Sequence, residues 1–94
     1  MDIYSIRHRG LQRFFEKDET RGLPQNRIER LRRILSALDE AESVAEIDTL
    51  PGWRLHRLRG DRVGTWSISL SGNWRITFRI QDDRIYDLDL EDYH

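Results

Sequence analysis

Residues 65–90, TWSISLSGNWRITFRIQDDRIYDLDL, decide the fold. Trp66, Ile68 and Leu70 alternate with Thr65, Ser67 and Ser69. After Ser71-Gly72-Asn73 the alternation resumes, with Trp74, Ile76, Phe78 and Ile80 on one side and Arg75, Thr77 and Arg79 on the other. After Asp82-Asp83-Arg84 it resumes again, with Tyr86, Leu88 and Leu90 set against Asp87, Asp89 and Glu91. A period of two between turn residues marks half-buried strands. Three such strands in succession form an antiparallel meander with one apolar and one polar face. Setting Phe78 opposite Leu88 places Arg79 across from Asp87, Thr77 from Asp89 and Arg75 from Glu91. Opposite-charge pairs of this kind contribute roughly 0.2–1 kcal/mol each, so one reading of these arginines is cross-strand pairing alone.

Upstream the period changes. Trp53–Leu58 reads as a further strand, joined to the meander by residues 59–64. Ile28, Leu31, Ile34, Leu35 and Leu38 follow helical spacing behind Pro24, which suits a first helical turn because its missing N–H is not needed there. Arg27, Arg30, Arg32 and Arg33 lie off that stripe and read as a solvated face. Leu11, Phe14 and Phe15 give a first helix at about residues 8–17, and Ile3, Tyr4 and Ile6 form a short β-capable start. Ser43 and Glu46 have capping-box spacing, which predicts a short helical turn over Val44–Leu50, ended by Pro51-Gly52. The apolar sheet face needs a cover, and the helical stripes are the only one available. The expected architecture is α+β: a short N-terminal strand and two helices packed on one face of a mainly antiparallel, four- to five-stranded sheet. Residues 1–94 read as one domain, since a chain this short buries only about 60–65% of its unfolded surface. The opposite, polar sheet face is left open for chemistry.

The chain has no cysteine, which excludes disulfides, thiolate metal sites and Cys nucleophiles. No signal peptide or membrane-length apolar run is visible, and the expected location is the cytoplasm. Net charge is −1 but unevenly spread: +4 over residues 1–38, −5 over 39–52, +5 over 53–79 and −5 over 80–94. The basic blocks can still make a local positive surface. Of sixteen basic residues fifteen are Arg, whose planar fork suits phosphate; a bias of codon usage towards Arg explains the count equally well.

Three histidines are present. His8 opens the first helix and reads as a surface residue. His56 lies in RLHRLRGDR, among Arg54, Arg57, Arg59 and Arg62, and has two readings, a half-buried strand residue or a base working near neutral pH. His94, after Asp92 and Tyr93, is either a frayed terminal residue or is held near the sheet by the strand before it. The histidines lack the fixed spacing of a metal site, and no Gly-rich phosphate loop or Ser nucleophile motif occurs; no metal or cofactor is expected. RNA suits such residues. Its own 2′-OH can attack the neighbouring phosphate, so a protein need supply only a base, an acid and a cation for the developing charge.

The stretch RLHRLRGDRVGTWSISLSGNWRITF (residues 54–78) with EDYH (residues 91–94) resembles the HigB toxins of bacterial HigBA toxin–antitoxin modules. These belong to the RelE superfamily of ribosome-dependent mRNA endonucleases. IRHRGLQRFFEKDETRGLP (residues 6–24) extends the resemblance over nearly the whole chain, and the combination of LxxLxGDRxGxWSI, NWRITF and DYH makes it specific. It implies a RelE-like fold and a catalytic set of His56, Asp92, Tyr93 and His94. Arg75 is implied as the phosphate-side arginine, Arg59 as a residue facing RNA, and Arg62 as a further RNA contact. It also implies cleavage of mRNA in the ribosomal A site, with ribosomal RNA giving much of the docking surface. The products would be a 2′,3′-cyclic phosphate and a free 5′-OH. The implied partner is a HigA-type helix-turn-helix antitoxin, through which operator DNA is bound. Two other classes fit the same fold: a ParE-like toxin that binds gyrase without acid–base residues, and a binding module that docks RNA or protein without cutting. The terminal Asp-Tyr-His with His56 favours the nuclease. Few aromatics are expected on the open face, which disfavours a single-strand reader.

Overall fold

The alternating residues of the second half pair as their period demands. In the computed structural model, which describes residues 1–48 and 52–92, they form β3 (Thr65–Ser69), β4 (Trp74–Gln81) and β5 (Arg84–Asp92) of an antiparallel meander. Two-residue strands flank it, β1 (Asp2–Ile3) parallel to β5 and β2 (His56–Arg57) antiparallel to β3. The order across the five-stranded sheet is β1-β5-β4-β3-β2. The β4–β5 hairpin turns on Asp82 and Asp83, both at positive φ (52° and 59°), the hand that matches strand twist.

Helices α1 (Arg9–Lys17), α2 (Ile28–Glu40) and the short α3 (Val44–Asp48) supply the apolar cover. Leu11 and Phe14 of α1, Leu31, Ile34, Leu35 and Leu38 of α2, and Ile47 of α3 share one core with Ile68, Ile76, Phe78, Leu88 and Leu90 of the sheet. Phe15, expected on the same stripe, is 39% exposed. His8 does more than lie at the surface: its Nδ1 accepts from the Leu11 N–H at 3.2 Å and caps α1. Pro24 precedes a 3₁₀ turn, Gln25–Arg27, rather than α2 itself. Glu46 reaches back to the Glu42 N–H at 3.0 Å, one residue before the expected box partner. The expected turn end at Leu50 and Pro51 lies outside the described residues.

Arg30 does more than face solvent. Its Nη2 donates to the carbonyls of Gly52 and Ser69, each at 2.9 Å, and ties α2 to the end of β3. Two charge-assisted bonds to backbone acceptors are lost in Arg30→Ala, so its urea midpoint should fall by the equivalent of about 1–3 kcal/mol. An unchanged midpoint would mean that water replaces the guanidinium without penalty.

The long strand expected over Trp53–Leu58 is broken. Arg54 has a left-handed backbone (φ 52°), which leaves only His56 and Arg57 in the β2 ladder. The register of β4 and β5 also departs from the expected one. Arg75↔Glu91 and Thr77↔Asp89 hold, but Arg79 faces Tyr86 instead of Asp87. One extra residue on β5 makes a β-bulge, with Asp87 left-handed at φ 55° and its N–H donating to Ser5 Oγ at 2.9 Å. Beyond the bulge the faces exchange. Ile85 takes the core position, fully buried, and Tyr86, expected there, emerges on the open face.

Candidate active site on the open sheet face

Directly paired residues of neighbouring strands share a face. His56 pairs with Ser67, Ser67 with Thr77 and Thr77 with Asp89, so one polar row crosses the open side from the edge strand to β5. The next row is Ser69, Arg75 and Glu91. The loop between β2 and β3 folds a 3₁₀ turn, Gly60–Arg62, that carries Arg62 over these rows.

Glu91 is the hub. Arg62 meets its carboxylate as a fork, Nη1 to Oε1 at 2.7 Å and Nη2 to Oε2 at 2.6 Å. Arg75 Nη2 donates to Oε1 at 3.3 Å, and the Thr77 hydroxyl donates to Oε2. The Glu91 side chain is 21% exposed and that of Arg75 18%, so the cluster is only partly wetted. The Arg62 fork, helped by Thr77 and Arg75 and opposed by burial, holds the Glu91 carboxyl down at about 2. The same contact raises the Arg62 guanidinium above its ordinary value. Two guanidinium groups share this one carboxylate, with Asp61 and Asp89 also close enough to act on Arg62, and the planar forks suit a phosphodiester.

His56 is exposed on β2, and its Nδ1 lies 2.9 Å from the Arg54 carbonyl oxygen. A carbonyl only accepts, so Nδ1 carries the proton and Nε2 is the nitrogen available for chemistry. The left-handed turn at Arg54 that shortens the strand thus also sets this tautomer. Arg59 is exposed at the start of the 3₁₀ turn. Asp92 ends β5 opposite Trp74, and its Oδ1 accepts from Asn73 Nδ2 at 3.3 Å. Of the residues expected in the site, the fold thus brings His56, Arg62 and Arg75 onto one face, whereas Asp92, paired with Trp74, falls in register with the helix-covered face at the end of β5. Tyr93 and His94 lie outside the described residues. Glu91 was legible only as a cross-strand partner of Arg75; the loop residue Arg62 and the hydroxyl of Thr77 make it a hub, and no local spacing announces that. Trp66 and Trp74 pack against the core, with the Arg57 guanidinium 4.6 Å over the Trp66 ring.

A small meander backed by helices on one face is the architecture of RelE-fold toxins. A YoeB/ParE toxin from Agrobacterium tumefaciens matches it with a TM-score of 0.64 at 12% identity over 100% of both chains. A variant of YafQ from E. coli matches with a TM-score of 0.57 at 13% identity, over 97% of this chain and 93% of that one. Residues 4–94 match the family model described as RelE-like toxin of type II toxin–antitoxin system HigB. The Endoribonuclease HigB of Proteus vulgaris is 42% identical over 92 residues, covering 98% of this chain and 99% of that protein. The chain belongs to the HigB-like toxin family, and its partner is an antitoxin.

Proposed function

We propose that this toxin is a metal-independent endoribonuclease that cuts translated mRNA on the open sheet face. The observation that carries this reading is the placement of His56 on the same face as the Arg62–Glu91–Arg75 cluster. In the proposed reaction a base, His94 or Asp92, removes the proton of the 2′-OH. The 2′ oxygen attacks the adjacent phosphorus, and the bond from phosphorus to the 5′ oxygen breaks. An acid, His56 or Tyr93, protonates the leaving oxygen. A 2′,3′-cyclic phosphate and a free 5′-OH result. Arg75 holds the scissile phosphate, and Arg59 and Arg62 steer the strand. Preorganised cations at developing charge are the larger part of such catalysis, and proton transfer adds about 10²–10⁴-fold.

Residues 1–94 act as one toxin domain in this reading. The substrate is mRNA in the ribosomal A site in the cytoplasm. The antitoxin is of the HigA helix-turn-helix type, and the pair binds operator DNA through it. The test is primer extension on translated mRNA, with and without ribosomes, comparing wild type with Arg75→Ala and with a message carrying 2′-deoxyribose at the cut position. Cleavage that stops at the 2′-deoxy position and falls about 10²-fold or more in Arg75→Ala is expected. Cleavage of the 2′-deoxy message would overturn the mechanism. Growth arrest without any cut message would point instead to a gyrase-type target.

A further inference from the structure

The bulge at Asp87 builds a second feature on the open face. Tyr86, turned outward opposite Arg79, lies against Tyr4 with ring centroids 5.0 Å apart. Tyr4 is 60% exposed and has the Arg84 guanidinium 5.3 Å from its ring. Arg79, the register partner of Tyr86, lines a hollow of about 170 Å³ together with Arg7, Thr65 and Arg62. Asp61 and Asp87 also line it. Arg62 is committed to Glu91, but Arg7 and Arg79 are exposed and enter no ion pair among the described residues. Neither ring nor cation here serves the cluster around Glu91. An aromatic pair with one ring exposed and one half-buried, beside guanidinium groups in no ion pair, is the equipment of a single-strand subsite, where a base stacks and its phosphate is held.

We propose that this hollow and the Tyr4–Tyr86 platform hold a nucleotide flanking the scissile linkage, its base on the tyrosines and its phosphate between Arg7 and Arg79. The inference rests on the open-face cleavage reading. Arg79 follows Thr77 by two residues, about 7 Å along β4, and Thr77 and Arg62 line both the hollow and the Glu91 cluster. A strand crossing the cluster therefore runs on into the hollow without leaving the sheet. This continuity favours RNA over an acidic segment of the antitoxin.

The experiment uses a short message with an abasic ribose placed in turn at each nucleotide beside the cut, offered free and on programmed ribosomes. In the wild type, removing the base at the subsite position should slow cleavage about tenfold. Tyr86→Leu should be slower on the intact message and indifferent to the missing base. The ratio is taken within each variant, so any unfolded fraction cancels. Arg79→Gln, at an exposed position, should raise KM several-fold with kcat kept. The proposal is overturned if the wild type tolerates every abasic position, or if Tyr86→Leu keeps the full penalty. It is also overturned if Tyr86→Leu and Arg79→Gln weaken only antitoxin binding, which would assign the surface to that partner. Full cleavage by His56→Ala on the same message would instead strike the open-face reading itself.

Discussion

His56→Ala slows cleavage of translated mRNA about 10²- to 10⁴-fold, the range of a lost general acid or base, and leaves folding stability within about 0.5 kcal/mol. The second half follows from position: His56 is exposed on an edge strand, and its side chain is held by the local contact to the Arg54 carbonyl. Single-turnover cleavage on programmed ribosomes beside urea denaturation checks both parts. A proton-transfer residue lowers kcat and leaves message binding unchanged. A drop confined to KM would make His56 a docking residue and move the chemistry to other groups of the face.

Glu91→Gln has the largest expected effect on stability. The substitution keeps the side chain's shape but removes the carboxylate that Arg62 and Arg75 share. Two half-buried guanidinium groups lose their common charged acceptor, at a loss of about 2 kcal/mol, or roughly 10 °C in melting temperature for a chain of this size. The pH dependence fixes the sign. The carboxyl titrates at about 2 in the folded chain against an ordinary 4.5, so its contribution is complete above pH 4.5 and is lost as pH falls towards 2. The stability gap between wild type and Glu91→Gln should therefore be widest near neutrality and close between pH 4.5 and about 2. A gap of constant size down to pH 2 would show that packing, and not charge, is what the glutamate supplies. Activity should fall as well, since Arg62 and Arg75 lose the group that aims them.

Periodicity carried the sheet because side chains on a pleat alternate without exception until a residue is inserted. Trp66 to Leu70 and Trp74 to Ile80 therefore point as their sequence says, and the helical stripe from Ile28 to Leu38 finds the face it was expected to cover. The same rule failed at Tyr86, because a bulge adds one residue and reverses every orientation on its far side. Asp87 carries no mark of this in the sequence. Its left-handed backbone is fixed by Ser5, more than eighty positions away. Arg54 shortens β2 in the same unannounced way. His56 and Arg75 could be placed on the open face from register alone. Arg62 could not, because it arrives on a loop whose course depends on the carboxylate it meets. The cluster is a product of tertiary structure in which only the Arg75–Glu91 edge is local to a hairpin.

Both margins of the sheet are two residues long. A longer border strand displays a row of unsatisfied amide and carbonyl groups that another polypeptide can zip onto, which is how fibrils and misassembled dimers begin. Here Asp2 marks one border, and the positively charged Arg57 the other. Neither β1 nor β2 is thus long enough to serve as such a template by itself.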